Sequence, residues 1–285
     1  MPSQYAFDPQ KYEHFYRHPE VYYMKPFRIF GNLWFVGNQN VASYLLDTQE
    51  GLILIDTTYP TTRALLIQSI WEAGFNPRDI RYILHTHGHF DHFGATALLV
   101  SLSGAKTFLG AEDADMFRKR PELALVQNGH YTYLPLFTPD IELQDGDMIE
   151  LGATKIRAVS VPGHTMGTMA YFFHLEENGE SQLAGLYGGI GLNTLCRDFI
   201  QEYQVPSYRE HYIASLEKVR HEPVTITLGN HTAQNQTMEK YKKMQIEPGT
   251  SNPFIDPTEW ERFIVQSEQH YFQMLERERV DTEQP

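Results

Sequence analysis

The chain has 285 residues, 41% of them hydrophobic, which is enough apolar material for a full core in one large α/β domain. Its 23 Lys and Arg against 36 Asp and Glu leave a formal charge of −13, which argues against a general binder of phosphate backbones. One cysteine, Cys196, excludes an internal disulfide and fits a reducing compartment.

The opening MPSQYAFDPQKYEHFYRHPE lacks a basic region followed by an apolar one, and no stretch approaches about eighteen apolar residues. The expected compartment is therefore the cytoplasm, or the periplasm or exterior if a leader has been removed. No membrane or nucleic-acid partner is expected.

From Phe27 the runs FRIFGNLWFVG, VASYLLD and GLILID read as a β-meander ending at Asp56. TTRALLIQSIWEAG follows with Leu66, Ile67, Ile70 and Trp71 at helical spacing, closed by Gly74. RYILHTHGHFDH reads as a strand breaking into a loop. A helix in ATALLVSL, a strand KTFLG and a small helix from Glu112 to Lys119 come next, then an irregular, lid-like segment from Pro121 to Pro139.

MIELGATKIRAVSV, TMAYFFHL and SQLAGLYGG supply a second set of strands, followed by the helix YREHYIASLEKVR and the strand VTITLG. A C-terminal helix over 254–280 opens with Thr258 and Glu261 in capping-box spacing and carries Trp260, Phe263, Ile264, Tyr271, Met274 and Leu275 on one face. Two β-rich halves, each followed by helices, predict a sandwich. Residues 1–285 are expected to form a single domain with 1–26 as an N-terminal extension, since no linker or repeat forces a boundary.

Four of the 13 histidines fall in HTHGHFDH together with an aspartate. Zinc takes imidazole and carboxylate ligands, and a loop leaving a strand can converge several of them on one point. Two further histidines, His164 in VPGHT and His231 in TLGNHT, stand where a strand runs out into a loop. His221 precedes its strand and is rejected as a rival to His231.

These motifs resemble the HxHxDH signature and downstream histidines of the metallo-β-lactamase superfamily. One register fits: His87, His89, Asp91 and His92, because a start at His85 places Phe90 where the last histidine belongs. The resemblance implies an α/β fold, a four-layer αββα sandwich, with two Zn2+ per chain. His87, His89 and His164 would hold the first zinc, and Asp91, His92 and His231 the second. His85 would sit behind the ligands or pack under the site. Asp56, ending its strand in an LID pattern common in the family, would bond a ligand or its loop, or else cap a turn.

Most branches of the superfamily carry a further aspartate before the last histidine, and Gly188 and Gly189 stand there instead. Two β-lactamase subclasses use a cysteine in this stretch, but Cys196 lies several residues past the glycine pair. Subclass B3 uses neither group. The segments PFRIFGNLWFVG, GLILIDTT, DGDMIELG, VPGHTMGT and NPFIDPTEW resemble that subclass in order along nearly the whole chain. The activity implied is hydrolysis of a cyclic amide, a β-lactam, by a metal-bound hydroxide that Asp91 orients, and with it a role in antibiotic resistance.

B3 enzymes hold the substrate carboxylate with serines near Gly188 to Gly191, whereas this chain has glycines and Asn193 or Thr194 as substitutes. Tyr131, Tyr133 and Leu134 in the lid-like segment are further candidate contacts to a small-molecule substrate. The alternatives are a cytoplasmic zinc hydrolase of another ester, thioester or lactone, a non-catalytic metal-binding protein, and an iron-dependent oxidoreductase.

Overall fold

The computed structural model describes residues 13–14, 16–128, 134–246 and 251–283. Strands β1 (Phe27–Phe30), β2 (Leu33–Phe35), β3 (Tyr44–Asp47) and β4 (Leu52–Ile55) form the expected antiparallel meander. Three parallel strands extend it: β5 (Ile80–Leu84), β6 (Lys106–Gly110) and β7 (Ile141–Leu143), giving a seven-stranded sheet in sequence order. The crossovers use α1 (Arg63–Glu72), α2 (Thr96–Ser103) and α3 (Ala111–Lys119).

The second sheet has five strands in the order β12-β11-β10-β9-β8. Strands β8 (Met148–Leu151), β9 (Thr154–Ser160), β10 (Met169–Glu177) and β11 (Glu180–Tyr187) run antiparallel, and β12 (Ile226–Gly229) joins β11 in parallel. Between β11 and β12 lie α4 (Arg197–Tyr203) and α5 (Ser207–Val219); α6 (Thr237–Ile246) and α7 (Glu259–Glu283) follow.

The period of two along a strand sorts the side chains into layers. On β10, Tyr171, Phe173 and Leu175 face the core between the sheets, where they meet Phe35, Tyr44, Ile53, Ile55 and Leu84. Ala170 and Phe172 face the other way, onto Tyr212 and Leu216 of α5 and Trp260, Ile264 and Met274 of α7. On the first sheet Leu45, Leu54 and Ile83 face Leu66 and Ile70 of α1 and Leu99 of α2. Both faces of each sheet are covered, so β4 is buried at every residue and its sequence is a continuous apolar run. The result is the four-layer αββα sandwich expected.

The C-terminal helix docks through Trp260, whose indole N–H donates to the Val219 carbonyl at 2.7 Å and whose ring meets Phe172 edge-on. Thr258 turns its hydroxyl to Asp256 Oδ1 at 2.7 Å, where Arg262 also pairs with the carboxylate, in place of the expected capping box. No helix among the described residues is long and apolar enough to cross a membrane.

Candidate metal centre

Strands β4, β5, β9, β11 and β12 all end at one edge of the sandwich, and the residues just past those ends meet there. Beyond β5, His87 and His89 bring Nε2 and Nδ1 to 3.0 Å from each other. His164, in the loop after β9, completes a buried trio whose ligand atoms lie within 4.8 Å of one another. The three rings stand nearly perpendicular, at 83° to 86°, with centroids 4.6 to 4.7 Å apart.

A second group adjoins the first. Asp91 Oδ2 lies 3.4 Å from Nε2 of His92 and 3.4 Å from Nε2 of His231. His87, Asp91 and His92 also approach within 4.8 Å, so the two trios share a border at His87. His231 is the most open member, with 30% of its side chain exposed, and marks the mouth.

Hydrogen bonds on the far side of three of the rings set which nitrogen faces inward. His164 Nδ1 donates to the Gly191 carbonyl at 2.8 Å, and His92 Nδ1 donates to Asp56 Oδ2 at 2.8 Å. His87 Nδ1 has the Thr86 hydroxyl at 3.1 Å. The Nε2 atoms of these three rings are thereby directed into the cluster, while His89 presents Nδ1.

Burial, reinforced by the neighbouring imidazoles, pushes His87 and His89 well below the ordinary histidine range, and burial takes His164 to about 4. These rings are neutral at pH 7 and offer lone pairs. His92 goes the other way: burial disfavours its charge, but the Asp91 and Asp56 carboxylates outweigh it and raise the ring to about 10. Asp91 is held below the usual carboxylate range because the surrounding imidazoles overcome its burial. His231, on the open side, is pushed down to about 4 by burial, so the preference for positive charge is centred on His92 between the two carboxylates.

This donor set fits zinc. Four ligands around zinc at about 2.0–2.1 Å set edges of about 3.3 Å, and the separations of 3.0 and 3.4 Å bracket that length. His92 Nε2 is moreover buried with no partner of hydrogen-bonding geometry, an arrangement that a shared cation would satisfy.

Asp56 accepts from the Thr86 amide at 2.7 Å and the Thr86 hydroxyl at 2.8 Å as well as from His92, so it holds both a ring of the cluster and the loop carrying it. His85 packs underneath: Nδ1 lies 2.8 Å from the Phe108 carbonyl and Nε2 2.7 Å from the Thr96 hydroxyl, which leaves neither nitrogen for a metal. His221 is exposed near Glu261, away from the cluster.

Past β11, Gly188 and Gly189 run bare against the site. A Cβ at Gly188 would lie 2.1 Å from the Met169 carbonyl oxygen, and one at Gly189 2.8 Å from the His164 ring. A carboxylate side chain has no room at either position without displacing the backbone or His164. Cys196 is buried, donates its S–H to the Asn193 carbonyl at 3.1 Å, and joins none of the metal-capable groups among the described residues.

Of the substrate contacts expected from the sequence, Asn193 is partly exposed. Thr194 is not available: it is fully buried with its hydroxyl 3.3 Å from His164 Nδ1, because the turn after Gly191 folds it inward. Leu134 is buried in the apolar cluster beside α3, so its side chain anchors the lid-like segment. Tyr131 and Tyr133 lie outside the described residues. The rest of that segment reaches the signature loop through the Phe90 amide, which donates to the Ala124 carbonyl at 3.1 Å, and through Phe137, whose ring lies 4.5 Å from that of His85.

Sequence reasoning passed over Asp113. It sits on α3 among the acids of AEDADMF, where nothing in the local pattern separates it from a solvated helix face, yet it is fully buried.

Residues 36–174 match the family model described as the metallo-beta-lactamase superfamily. Among curated relatives, the chain is 30% identical over 156 residues to hydroxyacylglutathione hydrolase GloC of Haemophilus influenzae, covering 54% of this chain and 70% of that protein. It is 32% identical over 127 residues to the hydroxyacylglutathione hydrolase of Anaeromyxobacter dehalogenans, covering 45% of this chain but only 40% of that protein's length.

Likeness to solved structures runs further. The FEZ-1 metallo-beta-lactamase from Legionella gormanii superposes with a TM-score of 0.81 at 31% identity, over 89% of this chain and 96% of that one. The class B3 di-zinc metallo-beta-lactamase LRA-12 from an Alaskan soil metagenome gives 0.78 at 25%, over 90% and 96%. BJP-1, a subclass B3 enzyme of Bradyrhizobium japonicum, gives 0.80 at 24%, a likeness of fold. With HxHxDH and its partner histidines converging at the sheet edge of a shared αββα frame, this chain belongs to the metallo-β-lactamase superfamily, as a metal-dependent hydrolase with subclass B3 enzymes for structural neighbours.

Proposed function

We propose that the chain is a dizinc hydrolase that opens the cyclic amide of β-lactams, with residues 1–285 acting as one domain. One observation carries the reading: imidazoles and a carboxylate gather in two adjoining groups at the sheet edge, and the strip beside them at Gly188 and Gly189 carries no carboxylate. His87, His89 and His164 would hold one zinc and Asp91, His92 and His231 the other. Zinc held there supplies Lewis acidity toward a carbonyl oxygen and lowers the pKa of water to about 7.

The protein's own groups supply the positioning. Asp91 turns Oδ2 toward the two imidazoles, at 3.4 Å from each, and would orient the attacking water. Asp56 and the Gly191 carbonyl retain the Nδ1 protons of His92 and His164, so these rings do not turn during the reaction. Asn193, partly exposed beside the glycine strip, would hold a substrate carboxylate. The likeness to FEZ-1 over 89% of this chain and to the di-zinc LRA-12 over 90% supports the β-lactam reading.

A second reading has its own support. Both curated relatives named above are hydroxyacylglutathione hydrolases, so a thioester is the rival substrate. Turnover of nitrocefin, imipenem and S-lactoylglutathione at matched zinc content separates the two, with His164→Ala as the control. β-Lactam hydrolysis that disappears in His164→Ala is expected; thioester hydrolysis alone would replace the first reading with the second.

A further inference from the structure

The first turn of α3 enters between the two loops that carry the three-histidine trio. There Asp113 is fully buried, and its carboxylate receives three hydrogen bonds. Oδ2 accepts from the Gly88 amide at 2.6 Å and from the Thr165 hydroxyl at 2.7 Å, while Oδ1 accepts from the Gly167 amide at 2.8 Å. Gly88 lies between His87 and His89, and Thr165 follows His164. One side chain therefore grips the loop leaving the first sheet and the loop leaving the second.

The fit around it is close. A Cβ at Gly167 would stand 2.3 Å from the Asp113 nitrogen and 2.6 Å from its Cβ, and a Cβ at Gly88 would stand 2.8 Å from Met116 Cε and 2.9 Å from Phe117 Cε1. Both loops approach the helix with bare backbone, so that their amides reach the carboxylate. Burying a carboxylate is costly unless donors surround it, and an apolar side chain would fill the same volume at lower cost. Asp56 makes the corresponding arrangement for the other trio, where it holds the Thr86 amide and the His92 ring.

We propose that Asp113 is a positioning residue that fixes the separation between the His87–His89 pair and His164, and thereby the affinity of that pocket for its cation. Met116 and Phe117 complete the wedge by packing against Gly88. The inference rests on the reading of this trio as a metal site, and metal binding by the wild-type chain tests that reading separately.

The test is the dissociation constant for zinc, measured on the full chain by competition with a chromophoric chelator, together with the visible spectrum of the cobalt(II)-loaded protein. Asp113→Asn keeps the volume but turns an N–H toward one of the donors. It is expected to weaken one of the bound ions by about tenfold to a hundredfold, leave the other near its wild-type affinity, and alter the cobalt spectrum. Thr165→Val removes one of the three bonds and keeps the carboxylate; it is expected to produce a smaller weakening, which Thr165→Ser restores.

A folded Asp113→Asn with wild-type affinity and spectrum overturns the proposal. Should that variant not fold, Thr165→Val with unchanged affinity overturns it equally. A wild-type chain that takes up neither zinc nor cobalt refutes the reading of the trio as a metal site, and this inference with it.

Discussion

Asp56 and His92 share a buried hydrogen bond of 2.8 Å between Oδ2 and Nδ1, although 36 residues separate them in the chain. Asp56 reaches this position from a left-handed backbone, φ 59°, and Thr58 two residues on is also left-handed at φ 56°. Such conformations cost on the order of 1–3 kcal/mol each for residues other than glycine, so strain collects where strand β4 hands over to the site. The strained turn aims one carboxylate at both His92 and the Thr86 amide.

Removing that carboxylate frees the ring and orphans the amide. Asp56→Ala is predicted to weaken metal binding by about tenfold to a hundredfold and to lower the melting temperature, and Asp56→Asn to fall between it and wild type. Chelator competition and thermal unfolding check both. A variant with unchanged metal affinity would reduce Asp56 to a turn cap.

Asp113 carries a signature in pH. Burial pushes its carboxyl from 3.8 up to about 6, against the three donors that favour the charged form. A raised folded-state value means that the fold prefers the protonated acid: no cost falls below pH 4, and stability is lost as pH rises through 6. The loss is on the order of 3 kcal/mol by neutral pH. Asp113→Asn has no such slope. The stability of wild type relative to this variant, both stripped of metal, is therefore predicted to fall between about pH 4 and pH 6 and to level off above it in denaturant unfolding; a difference that stays flat would show that the carboxyl titrates normally.

Asn193 Oδ1 and the His164 ring both border Gly191, so Asn193 offers the polar group that the glycine strip lacks. With a carboxylate-bearing β-lactam, Asn193→Ala is predicted to raise KM by about tenfold while leaving kcat within about twofold, since a hydrogen bond to a charged group contributes about 1.5–3 kcal/mol. Steady-state kinetics on imipenem decide this. Unchanged KM would remove Asn193 from the binding surface.

Much of this molecule was legible because its chemistry sits at strand ends. A strand with two buried faces is a continuous apolar run, and a polar motif just past it is easy to see, as with LILID, RYILHTH and TLGNH. The six side chains of the two trios stand in such places. What escaped has no local pattern. Helix α6 buries only Thr237 among its side chains, so it lacks an apolar stripe, and α4 buries none. Strand β7 is three residues long and reads as loop without its partner β6. Thr194 read as a substrate contact because sequence cannot show which way a turn faces, and Asp113 looked like a surface acid because its three donors come from loops distant in the chain.

Whether six side chains from two sheets hold two ions is decided by zinc titration of the chelator-stripped chain, with bound metal counted by elemental analysis. Two equivalents are predicted for wild type and about one for His164→Ala and for His231→Ala, each retaining the opposite trio. One equivalent in wild type, or two retained in both variants, would show that these side chains do not form two separate metal sites.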